Sequence, residues 1–157
     1  MTSLTTTLRD EQRLITSLIE LMKQEQQCLV SADSDALVAI TAQKSALVQQ
    51  MAACASQRHQ ALGAAGFAAA EAGMEPWLAA CRDADNAAGI LWRELLERTR
   101  TAKELNRVNG MLINKQMTHT QVVLNAMRTP AGGVDAGVYG PSGQAATSGP
   151  SRRFVVG

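Results

Sequence analysis

The sequence predicts an all-α fold: an elongated antiparallel bundle of three main helices, coiled-coil-like, with a long third helix and a Gly/Pro-rich C-terminal tail. Three observations predict it. Apolar residues recur at 4-3 spacing through three successive segments. Ala, Leu, Gln, Glu, Arg and Met, all good helix formers, dominate the composition. Aromatic residues make up 3% of the chain, too few to centre a sandwich of strands, which favour aromatic and β-branched side chains. The 157 residues suffice for one ordinary domain. The expected division is a helical bundle over 1–128 and a flexible tail over 129–157.

The first helix is expected from about Ser3 to Val30. Positions 4, 8, 11, 15, 18, 22, 25 and 29 read Leu, Leu, Glu, Ile, Leu, Met, Glu, Leu. Glu11 and Glu25 interrupt an otherwise apolar seam. "SADSDAL" then breaks the pattern. Asp33 or Ser34 suits the N-cap of a second helix, with Asp35 in its first turn. That helix is expected to reach Leu62. Its seam, at 37, 40, 44, 47, 51, 54, 58 and 61, reads Leu, Ile, Lys, Leu, Met, Cys, Arg, Ala. Arg58 and His59 suit its last turn, and Gly63 the left-handed position beyond it. Each helix would be roughly 40 Å long.

"GAAGFAAAEAGMEP" reads as a connector, with Pro76 in the first position of the third helix. No further proline follows until Pro130. Unbroken, that helix would span about 80 Å, so it bends or projects. Gly89 and Gly110 are the least costly bend points.

The third helix carries two stripes. The first includes Cys81, Ala88, Leu91, Leu95, Leu105, Asn109, Leu112, Gln116, His119, Val123 and Ala126, and would complete the bundle. The second lies one residue on: Asn106, Gly110, Ile113, Met117, Thr120, Leu124 and Met127. Gly110 places a notch in this second seam, where a missing Cβ lets another helix or the tail come close. The runs "GMLI" and "QVVLN" carry more apolar surface than one thin bundle can bury. Two readings follow. A partner occupies the second stripe, or a fold-back or a homodimer buries it constitutively.

Composition excludes several function classes. A net charge of +1 argues against a nucleic-acid or membrane-surface binder, which needs a basic face. Cys28, Cys54 and Cys81 lie on apolar stripes without C-x-x-C spacing, and read as small buried hydrophobes in a reduced compartment. The start, "MTSLTTTLRDEQ", is not a signal peptide, and no apolar run approaches the ~18 residues of a membrane span. The expected location is cytoplasmic. His59 and His119 stand far apart, and no carboxylate, Ser or His arrangement marks an enzyme, a metal site or a cofactor. Trp77 and Trp92 read as packing anchors.

Asp33 followed by Leu37, Ile40, Lys44 and Leu47, then "NRVNGMLI" in the third helix, and a short tail with Tyr139, Gly140 and Gly143, resemble the FlgN family of flagellar type III export chaperones. The resemblance covers most of the chain. It implies a chaperone that binds hook-associated proteins 1 and 3, prevents their premature polymerisation, and delivers them to the export gate and ATPase. The second stripe is then the expected cargo surface, by helix-in-groove recognition. A structural coiled-coil subunit that buries this stripe in a homo-oligomer is the alternative.

The tail holds 7 of the 12 glycines and 3 of the 4 prolines, and is expected to be mobile. Tyr139, the single tyrosine, is expected to anchor it to the export gate or back onto the second stripe.

Overall fold

The computed structural model describes residues 3–81 and 86–128. It holds four helices, α1 (Leu4–Ser31), α2 (Ser34–Ala64), α3 (Met74–Ala80) and α4 (Ala87–Arg128), and a 3-10 turn at Glu71–Gly73. No described residue lies in a strand. The chain divides into two units, Met1–Met117 and Thr118–Gly157. Of the second, residues 118–128 are described.

In α1 all eight expected seam positions are buried, Glu11 and Glu25 included. The helix ends on Ala32 at φ 56, a left-handed conformation. The N–H groups of Ala32 and Asp33 both reach the carbonyl of Cys28. Asp33 then caps α2, its Oδ1 accepting from the Ala36 N–H at 3.1 Å. One residue thus closes one helix and opens the next, and α2 turns back antiparallel to α1.

The end of α2 corrects one expectation. Gly63 lies inside the helix, and Gly66, at φ +85, takes the left-handed position. Gly66 N–H bonds Gly63 O and Phe67 N–H bonds Leu62 O, both at 3.0 Å, the paired closure of a Schellman ending.

The third helix is also corrected. It begins at Met74, with Pro76 third, and stops at Ala80; Cys81 is extended and Asn86 takes φ 49 before α4 starts. Asn86 carried the signal, since asparagine tolerates the left-handed conformation and favours turns. Gly89 and Gly110 are no breaks: α4 runs through both. A Cβ at Gly89 would stand 2.3 Å from Asn86 Oδ1, so this glycine makes room for the turn before the helix. Gly73 is equally constrained, 2.0 Å from Ala68 O by the same measure.

The core of the first unit joins Leu8, Ile15 and Met22 of α1, Leu62 of α2, Met74 of α3, and Trp92, Leu95 and Ala102 of α4. Trp92 is the packing anchor expected of it, and Trp77 packs partly buried against the same cluster. The cysteines are not core: Cys28 and Cys54 are half-buried and Cys81 is exposed.

Candidate functional site

Two polar layers cross the first unit and decide which face of α4 remains outside. In one, Arg58 of α2 donates through Nε to Glu11 at 2.8 Å and through Nη2 to Glu71 at 2.7 Å. Its guanidinium also lies 4.9 Å from the centroid of the Trp92 ring. In the other, Lys44 of α2 reaches Glu25 of α1 at 3.1 Å, and Asn109 of α4 donates to Glu25 and to the Met22 carbonyl at 2.8 Å. Glu11 and Glu25 sit two heptads apart, about 21 Å along α1. Arg58 and Lys44 sit two heptads apart on α2, so both pairs meet in one antiparallel register.

Burial acts differently on the members of the first layer. It pushes the Glu11 carboxyl up, more than Arg58 draws it down. Burial also opposes the charge on Glu71, but Arg58 and His59 together outweigh it and hold that carboxyl below the usual range. Arg58 serves two carboxylates, and Glu71 keeps contact with water.

The second layer fixes the rotation of α4. Ala102 and Asn109 are buried, and Leu105, Leu112 and Gln116 half-buried, so the first stripe faces inward down to Gln116. The Gln116 amide also donates to the Leu29 carbonyl. Beyond this point the expectation fails: His119, Val123 and Ala126 are exposed, as is every residue from 118 to 128.

The second stripe therefore faces outward within each unit. In the first unit Asn106 is exposed and its Oδ1 accepts from Lys44 Nζ at 3.0 Å, which ties it to the polar layer. Gly110 is helical, as expected, but nothing lies within 4 Å of where its Cβ would be, so no described helix fills the notch. Ile113 and Met117 are exposed, Met117 to 66%. Met111, off the stripe, is exposed beside them. In the second unit Thr120, Leu124 and Met127 are exposed, Met127 to 78%. Tyr139 lies outside the described residues.

Sequence reasoning missed the pairing of Glu25 with Lys44 and of Glu11 with Arg58. The signal was present as anions and cations at matched heptad spacing in two apolar seams. Among the described residues no group of three or more His, Cys, Asp or Glu side chains could hold a metal. No described helix is long and apolar enough to cross a membrane. What α4 offers is a helix face with apolar side chains already in water.

Comparison with known proteins gives one match. The family model described as FlgN protein matches residues 1–147. No curated protein and no solved structure matches the chain.

Proposed function

The chain belongs to the FlgN family of flagellar export chaperones, and from that premise we propose that its cargo is the hook–filament junction pair, hook-associated proteins 1 and 3. It binds them in the cytoplasm, covers C-terminal segments that would otherwise polymerise, and hands them to the export gate and ATPase complex. One observation supports the assignment of the surface: within each unit taken by itself, the apolar side chains of the second stripe stay exposed. Ile113 and Met117 do so in the first unit, and Leu124 and Met127 in the second.

An apolar cargo helix gains on such a face the seam it lacks alone. Methionines adapt to different partner surfaces. Thr120, and Asn106 held by Lys44, keep the seam partly polar, which suits reversible binding.

The test is mass in solution, with and without hook-associated protein 1 or 3, for the native chain and for Met117→Glu and Leu124→Glu. A defined heterocomplex with either protein supports the cargo assignment. Exposed substitutions change stability by only about 0.5 kcal/mol, so helix content and melting should stay native. Lost binding with an intact fold supports the surface. Native binding in both variants removes these residues from it. A homo-oligomer that ignores the cargo restores the scaffold reading.

A further inference from the structure

Residues 71–80, the 3-10 turn and α3, are held to the rest of the first unit by few side chains. Glu71 accepts from Arg58 Nη2 at 2.7 Å, and His59 Nε2 lies 3.5 Å from the same carboxylate oxygen. Met74 is fully buried in the cluster that includes Leu8, Leu62 and Trp92. Glu75 accepts from the Trp92 indole N–H at 3.2 Å. Trp77 and Leu78 pack only partly buried, and Ala79 to Cys81 are exposed.

The charges are shared unequally across this junction. The Arg58 side chain is 3% exposed and that of Glu11 5%, whereas that of Glu71 is 61% exposed. If the segment lifts away, Glu71 moves into water that it largely meets already. Arg58 keeps Glu11 and the face of the indole. Breaking a buried ion pair is ordinarily severe because one charge is left buried without a partner. Here no charge is stranded. Retention then falls to the Met74 plug, the partly buried Trp77 and Leu78, and one hydrogen bond to Trp92, and segments with few buried contacts open before the whole domain does.

The turn before the segment permits such a movement. Gly66 sits at φ +85 with nothing within 4 Å of its Cβ position, so the chain enters the segment through a glycine with open space around it.

We propose that residues 71–80 form a latch that opens as one unit from the turn at Gly66 while α1, α2 and α4 stay folded, uncovering the apolar surface plugged by Met74. Arg58 is the catch: it holds Glu71 in the closed state and retains Glu11 in the open one.

Hydrogen exchange read by mass spectrometry on the full chain tests this. In the native protein the amides of 74–80 should exchange about tenfold faster or more than those of α1 between Leu8 and Met22. Glu71→Gln and Met74→Ala should each raise the rates of 74–80 by roughly another fivefold, with α1 unchanged. Equal protection of 74–80 and α1 in the native chain overturns the proposal. So do variants that raise both segments in parallel, or neither. The native comparison decides alone should a variant fail to fold.

Discussion

Asn109 donates to the Glu25 carboxylate and to the Met22 carbonyl, both at 2.8 Å, so one amide of α4 grips both a side chain and the backbone of α1. Lys44 of α2 completes the layer. Two of the residues that carry the family resemblance, Lys44 and Asn109, are therefore internal ties. They set the rotation of α4 and so leave Asn106, Ile113 and Met117 exposed, with Gly110, the residue after Asn109, half-buried.

Removing the cation from this layer should be costly. Lys44→Met leaves Glu25 buried without a counter-charge, for an expected loss of ~3 kcal/mol. Adding Glu25→Gln should recover more than half of it. Asn109→Leu should lose about 2 kcal/mol, the worth of hydrogen bonds to a charged group. Denaturant unfolding of the single and double variants, read as a mutant cycle, checks all three.

Ala32 holds a left-handed conformation that disfavours any residue with a Cβ. Ala32→Gly should stabilise the protein by about 1 kcal/mol. An unchanged or lower denaturation midpoint would mean that the turn relaxes without help.

Acid should act on the two partners of Arg58 in opposite senses. The Glu71 carboxyl lies below its ordinary range, so its contribution is present above the unfolded pKa and is lost as pH falls through the folded one. The Glu11 carboxyl lies above its ordinary range, so its contribution is full below the unfolded pKa and is lost as pH rises through the folded one. The Tm advantage of the native chain over Glu71→Gln should thus be present at about pH 7 and fade below about pH 4. Glu11→Gln should compare better with the native chain at neutral pH than in acid. Melting across that range measures both, and equal pH dependence of the two variants would contradict the assignment.

At Gly110 stability and binding should separate. No described atom would touch a Cβ there, so Gly110→Ala should gain about 1 kcal/mol from helix propensity. If cargo enters the notch, affinity for the C-terminal segment of a hook-associated protein should fall in the same variant. A gain in stability with unchanged affinity would place the cargo elsewhere.

The seam of α1 was readable residue by residue because a helix repeats its environment every three or four positions, and burial follows that period. The Asp33 cap was readable for a similar reason: it acts within three residues of chain. Where several weak local signals compete, the reading failed. Gly63 and Gly66 both suit a helix end, and only packing at Leu62 and Phe67 decides between them. The stop after Ala80 and the left-handed Asn86 likewise prevailed over the helix-forming residues on either side. The exposure of His119 and Val123 was not readable, since the 4-3 pattern of their stripe continues in sequence without a change at Gln116.

The sequence by itself determined the all-helical class, the inward face of α1 and the family, because periodicity, capping and motif identity are local or ordered along one chain. Only the tertiary structure decided that Glu25, Lys44 and Asn109 meet, that Arg58 serves both Glu11 and Glu71, and that the face carrying Gly110 and Met117 looks outward. Those facts depend on the register and rotation of one helix against another. A heptad pattern lists which residues face a partner helix; it does not say which residue of that partner lies opposite.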